Sequence, residues 1–394
     1  MTKHLNDMSE QHTQTQAYWN GVLAMTLCVF ALVASEFMPV SLLTPISRDL
    51  GVSEGLAGQG ITISGALAVL TSLSISTLAR NISRKLLLGM TSLMAFSSVV
   101  IALAPNYLTY MAGRALIGIA IGGFWSMSAA AAIRLVPQHQ VPRALAIFNG
   151  GNALATVIAA PLGSYLGLVM GWRGTFFCLV PIALIAFIWQ WLSLPAIKYE
   201  KNGSPSGNIF RLFKQPLVVS GLTACGIFFM GQFTFFTYVR PFLETVTHVG
   251  IPALSMILLT IGIAGFVGTL VIGTFLKTGF YQTLIAIPLL MMAITGALMA
   301  FGHKVWIVAP LLGVWGLVAT AAPVGWWTWI ARTLPQDAEA GGGLMVAVIQ
   351  LSIALGSTIG GLTFNHSGYR SLFITSGVLL MLAACLAFLT SRTH

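Results

Sequence analysis

The stretch Met111–Ile133, MAGRALIGIAIGGFWSMSAAAAI, decides how the rest of the chain is read. It is an apolar run long enough to cross a membrane as a helix, and it contains one full charge, Arg114. On a helix Arg114, Gly118, Gly122 and Ser126 recur every four residues and share a face, a strip of small residues topped by a cation. A lone arginine in hydrocarbon is costly, so it must face the protein interior or a wet cavity and have a partner. The remaining sequence has to supply that partner.

Of 394 residues, 57% are hydrophobic and only 7% charged, against roughly 25% charged in a soluble domain. Twelve apolar runs reach spanning length, near 19–43, 59–79, 86–104, 107–133, 144–168, 174–194, 216–240, 252–276, 282–302, 305–331, 341–363 and 370–390. They predict an all-α membrane protein of twelve transmembrane helices. The first 18 residues are polar and the first apolar run is long, which predicts a retained first helix rather than a cleaved leader. Cys28, Cys178, Cys225 and Cys385 lie inside apolar runs without paired spacing and are expected to be small buried hydrophobes.

The net charge of +10 is distributed as a topology signal, and no nucleic-acid partner is expected. With the amino terminus inside, the inner segments hold Lys3, Arg80, Arg84, Lys85, Arg134, Arg143, Lys198, Lys201, Arg211, Lys214, Lys277, Arg332 and Arg392. The outer segments hold Arg48, Arg173, Arg240, Lys304 and Arg370. Thirteen against five predicts both termini on the cytoplasmic side.

Helix 1 carries Ser35-Glu36-Phe37-Met38-Pro39, with the one acidic residue inside an apolar run. Glu36 lies seven residues before the expected end of helix 1 at Leu43, and Arg114 seven residues after the start of helix 4 at Tyr107. Both are therefore expected about 10 Å below the outer surface. The two opposite charges are expected to face one interior space, paired directly or joined by water or substrate. A purely structural ion pair is the alternative.

The chain also repeats. Arg134-Leu135-Val136-Pro137-Gln138 matches Arg332-Thr333-Leu334-Pro335-Gln336, and Gly171-Trp172-Arg173 matches Gly368-Tyr369-Arg370, at offsets of 198 and 197. Between them the segment 195–215, rich in Lys, Gly, Ser and Pro, reads as a cytoplasmic linker. It divides a first six-helix bundle, 1–194, from a second, 216–394. Two pseudo-symmetric bundles with a midplane site between them are the architecture of a rocking transporter. The repeat sets Leu312 opposite Arg114, so the charge chemistry is confined to the first half.

Polar and aromatic residues complete the candidate site. Helix 5 carries Asn149, Asn152 and Thr156 on one face, and helix 11 carries Gln350. On helix 7, Gln232, Phe236 and Arg240 share a face, and helix 4 contributes Trp125. Rings with nearby amides suit a flat, hydrogen-bonding, mostly uncharged ligand. The competing readings are interhelical glue for the amides and packing for the rings. Trp326, Trp327 and Trp329 are expected in an interfacial aromatic belt. The seven histidines lie in tails or near helix ends without metal-ligand spacing, so no metal and no other cofactor is expected. No glycine-rich phosphate loop ends in Lys-Ser or Lys-Thr, and no base stands beside a serine, which argues against ATP-driven pumping and against an enzyme. The polar segments are too short for the signalling domains of a receptor.

Arg114-x-x-x-Gly118 with Gly122-Gly123 resembles the helix 4 motif of the drug:proton antiporter group of the major facilitator superfamily, where the arginine is linked to proton movement. Ala160-Pro161-Leu162-Gly163 resembles a variant of that group's helix 5 motif, which usually has Gly before the Pro. The loop between helices 2 and 3 departs from the family pattern. Arg84 and Lys85 fit, but Ser76, Arg80, Asn81 and Ser83 replace the usual Gly, Asp, Arg and Gly, which removes the acid expected to latch the inner gate. The runs EFMPVSLLTPISRDLGVSEGLAGQ, GGFWSMSAAAAIRLVP, APLGSYLG, GQFTFFTYVRP, PVGWWTWIARTL and VAVIQL are similar to the purine-ribonucleoside-efflux and arabinose-efflux-like members of the family. The resemblance implies a monomeric exporter in the bacterial inner membrane. It would exchange inosine- or guanosine-like solutes for protons, with sugar or multidrug efflux as the alternative. Glu36 is then expected to carry the proton, with Arg114 tuning it, because burial and a neighbouring cation pull a carboxyl's proton affinity in opposite directions. Asn149, Asn152, Gln232, Phe236, Gln350 and Trp125 are the residues expected to line the substrate cavity.

Overall fold

The structure is a computed structural model that describes residues 17–78, 84–137, 140–195, 214–334 and 338–392. Its first six elements are α1 (Trp19–Leu50), α2 (Glu54–Leu78), α3 (Arg84–Ala102), α4 (Tyr107–Arg134), α5 (Val141–Phe177) and α6 (Leu179–Ser193). The next six are α7 (Pro216–Phe236), α8 (Val239–Thr245), α9 (Ile251–Thr278), α10 (Phe280–Phe301), α11 (Val305–Thr333) and α12 (Ala338–Arg392).

Among the described residues, 10 continuous stretches are long and apolar enough to cross a membrane. Two of them, Arg143–Ser193 and Gly341–Arg392, run for 51 and 52 residues. At 1.5 Å per residue each is about 77 Å long, more than twice a hydrocarbon core of about 30 Å. Each is broken once, at Gly171 (φ 74°, ψ 169°) and at Gly368 (φ 70°, ψ −166°). Only glycine takes this backbone conformation without strain, and it folds each stretch back into two crossings. The two breaks sit in the repeated Gly-Trp-Arg and Gly-Tyr-Arg motifs, so twelve crossings follow from the duplication.

The crossings form an all-α fold of two six-helix bundles. In the first, α1 packs on α5, and α4 on α2 and α3; in the second, α7 packs on α12 and α9 on α11. The bundles meet where α2 lies on α12, α5 on α9 and α1 on α8. Leu70, Leu108, Leu192, Leu270, Phe275 and Trp306 project from the outside of the assembly and are more than half exposed. Such a shell is stable in acyl chains and not in water.

Helix α1 is longer than its apolar run suggests. It continues through Ser47-Arg48-Asp49 to Leu50 and stops at Gly51, whose left-handed conformation (φ 66°) caps it. It contains two prolines, Pro39 and Pro45. A helical N–H bonds the carbonyl four residues back, and proline has no N–H. The carbonyls of Ser35 and Ser41 are thereby left without helical partners, and each is taken by a buried arginine from another helix.

The break between α7 and α8 has the same origin. Pro241 cannot donate to Thr237, and the chain turns at Thr237 and Tyr238. The face shared by Gln232, Phe236 and Arg240 is therefore interrupted after Phe236. The tryptophans of α11 also differ from expectation. Trp326 and Trp329 are buried in the second bundle, with Trp329 against Gly221 of α7, and only Trp327 is exposed. They pack the bundle rather than form a belt. Of the cysteines, Cys28 and Cys225 are buried as expected, but Cys385 is exposed.

The two halves close their Leu50 ends differently. Arg173 pairs with Asp49 and donates to the Ala104 carbonyl at 2.7 and 3.2 Å, while Trp172 Nε1 donates to Asp49 at 3.1 Å. In the second half Thr247 stands 198 residues after Asp49 and donates directly to the carbonyl of Gly302, 198 residues after Ala104, at 2.8 Å. Arg370, the counterpart of Arg173, is exposed and has no hydrogen-bond partner among the described residues.

Candidate functional site

Arg114 is fully buried on α4 and lies against α2 and α1. Its Nε donates to the Gly60 carbonyl at 3.0 Å, one terminal nitrogen to the Ser35 carbonyl at 2.9 Å, and the other to Ser64 Oγ at 3.0 Å and the Glu36 carbonyl at 3.4 Å. The small-residue strip beneath it explains how α2 comes so close. A Cβ on Gly118 would stand 2.7 Å from Ser64 Cα, and one on Gly122 2.9 Å from Ala68 Cα. Gly60, Ser64 and Ala68 repeat every four residues on α2, matching Arg114, Gly118 and Gly122 on α4, so two fours-spaced ridges interlock. Ser126, the fourth member of the strip, is exposed.

The partner of Arg114 is thus mainly backbone. Its fork is met by oxygens of α1 and α2, and the Glu36 side chain points elsewhere. Gln350 Nε2 on α12 donates to Glu36 Oε1 at 3.1 Å. Glu36 is buried, 7% exposed, and stands fourteen residues before the end of α1 at Leu50, because α1 runs on past Leu43. The two charges are neighbours through the Glu36 main chain, without a carboxylate–guanidinium contact. Glu36 stands where the bundles meet, bonded to the second and held by the first.

Phe37, next to Glu36, is half-buried and stacks on Phe233 of α7 with centroids 5.9 Å apart; Phe233 meets Phe236 edge-on at 6.0 Å. Beside this ladder Gln232 is half-buried, and its Oε1 is buried without a partner. Glu36, Gln350, Phe236 and Gln232 are therefore carried on the three helices α1, α7 and α12. Asn152 is half-buried on α5, and its side-chain amide makes no hydrogen bond among the described residues. Trp125 is half-buried and packs edge-on against Phe148 of α5, within the first bundle. The side chain of Asn149 lies outside the described residues, as do Arg80, Asn81, Ser83 and most of the linker.

The sequence reading missed Ser35, Ser64 and Gly60 as Arg114 acceptors, and Phe37 and Phe233 as members of the ladder. The four-residue spacing of Gly60, Ser64 and Ala68 and the position of Pro39 were the available signals.

The family model described as Major Facilitator Superfamily matches residues 25–342. The chain belongs to the major facilitator superfamily. Several relatives of this transporter cover nearly its whole length. Transcription regulatory protein OpdE of Pseudomonas aeruginosa is 59% identical over 100% of this chain and 99% of its own. Purine ribonucleoside efflux pump NepI of Escherichia coli (strain K12) is 38% identical over 94% of both chains, and NepI of Salmonella enteritidis PT4 39% identical over 93% and 92%. Among solved structures, a bacterial homolog of the human lysosomal transporter Spinster, in an inward-facing and occupied conformation, shares the fold. Its TM-score is 0.73 at 16% identity, over 95% of this chain and 96% of that one.

Proposed function

We propose that this transporter is a proton-coupled exporter of small organic solutes, with purine ribonucleosides as its first substrate class. The observation that carries the proposal is the buried carboxylate of Glu36, set at the junction of the bundles and hydrogen-bonded to Gln350 of the opposite one. A carboxyl there can gain or lose a proton, and each state bonds the facing bundle differently. Arg114, held by four oxygens, is a fixed positive charge behind it. The substrate assignment is supported by the NepI relatives and by the ring ladder, with Gln232 next to Phe233 on α7, since a nucleoside base stacks and its ribose hydrogen-bonds. In this reading the protein works as a monomer in the bacterial inner membrane, and residues 1–194 rock against 216–394 about the 195–215 linker.

The name of the 59% relative is compatible with the same activity, because export of a small effector changes gene expression without any DNA contact. Deleting the chain and replacing it with Glu36→Gln should then alter transcription alike.

The test is proton flux in energised inverted vesicles, adding inosine, then arabinose, then a cationic dye. Inosine alone should dissipate the pH gradient, and Glu36→Gln, which keeps the shape and the bond to Gln350, should abolish the response in inserted protein. Normal gradient-driven exchange in that variant removes Glu36 as the proton carrier. A response to sugar or dye instead removes the substrate class.

A further inference from the structure

The second proline-vacated carbonyl of α1, at Ser41, lies on the other side of the bundle boundary from the side chain that fills it. Arg240 of α8 is 4% exposed and donates to the Ser41 carbonyl. Its Nε donates to Glu244 Oε1 at 2.8 Å, which orients the guanidinium along α8. The element that carries it is firmly fixed in the second bundle. Tyr238 donates to the Ser357 carbonyl at 2.9 Å, and Phe242 packs against Phe235 and Phe373. A rigid α8 therefore reaches across to a rigid α1.

This contact belongs to a set. Thr62 bonds the Ala354 carbonyl at 3.2 Å and Thr358 at 2.9 Å, Asn365 bonds Ser53 at 3.0 Å, and Gln350 bonds Glu36. These hydrogen bonds between the bundles lie at mid-height or toward the Leu50 end. Of these bonds, that of Arg240 brings a cation to the seam, and it binds a carbonyl whose helical donor is missing.

We infer that Arg240 is the positioning residue that holds the Leu50 ends of the two bundles together, and that Pro45 serves the transport cycle by leaving the Ser41 carbonyl open to it. Rocking the bundles apart at that end has to break this charge-assisted bond. The carbonyl then has no helical N–H to return to, so the closed arrangement is favoured over the open one.

Spin-label distances read this directly and do not depend on substrate. Labels on Leu103→Cys and Trp306→Cys report the Leu50 end of each bundle; both positions are strongly exposed. Cys178 and Cys385 are replaced by serine, and buried Cys28 and Cys225 are kept. The parent should show mainly one short distance. Arg240→Met should raise the ratio of long to short distances about tenfold, the size of one lost charge-assisted bond. Pro45→Ala, which returns an N–H to compete for Ser41, should raise it by less, and the double variant by no more than Arg240→Met alone. An unchanged distribution in Arg240→Met, or additive effects in the double, overturns the inference. Should Arg240→Met fail to give monodisperse protein, Pro45→Ala decides alone, and no change there overturns it equally.

Discussion

At Arg114, charge and hydrogen-bonding geometry can be separated. Arg114→Met leaves the Ser35 carbonyl with neither an arginine nor a helical donor, in a site that water does not reach. The expected loss is on the order of 3 kcal/mol, read as a lower unfolding midpoint in detergent. Pro39→Ala should recover part of it, because alanine at 39 donates to Ser35 within the helix. An Arg114→Met, Pro39→Ala double variant no more stable than Arg114→Met would show that the carbonyl is not what the arginine serves. That Arg114 needed partners was legible from its place in an apolar run. Their identity was missed, although Pro39 and the spacing of Gly60, Ser64 and Ala68 are local signals that point to it. The Glu36–Gln350 bond was not legible, because it joins positions 314 residues apart and no local pattern links them. Both residues were picked out for being polar at depth, and only the packing of α1 on α12 pairs them.

Among elements, the paired corners at Gly171 and Gly368 show what duplication keeps and what it changes. The backbone break is the same, but Arg173 ties the first corner to Asp49 and Ala104, whereas in the second half Thr247 bonds Gly302 directly and the Gly368 corner takes no part. Arg173→Ala should lower stability by about 1 kcal/mol, a modest amount because the Asp49 pair is partly exposed and screened. Arg370→Ala should leave the unfolding midpoint unchanged within error. Equal effects would mean that both arginines fasten their corners. Glycine at the break was visible in the sequence. The exchange of an arginine tie for a threonine tie was not, because Thr247 resembles any other loop residue until Gly302 is beside it. Helix ends were misread where polarity and helicity part company. Ser47-Arg48-Asp49 ends an apolar run without ending α1, and Trp326 and Trp329 look interfacial by position although they face inward.

For the whole molecule, twelve crossings and the uneven distribution of basic residues predict that both ends of the chain lie on the cytoplasmic side. Protease-cleavable tags at both termini should be cut in inverted vesicles and protected in right-side-out ones. Cleavage of one tag from each side would require an odd number of crossings and so a different reading of the Gly171 or Gly368 break. The overall architecture was the most legible level, because lipid imposes long apolar runs and a duplication repeats its punctuation. How the bundles meet was the least legible, because the contacts that decide it pair residues far apart in the chain.

The partners of Arg114 and of Glu36 also differ in when they come into being. A ribosome makes this chain from its amino end, and every oxygen that binds Arg114 belongs to residues 35–64, already synthesised when the arginine emerges. The cation can enter the bilayer into a waiting cradle. Glu36 enters early, and its amide partner is the 350th residue. For most of its biosynthesis the first bundle carries an unanswered carboxyl, and the arrival of the eleventh crossing is what completes it.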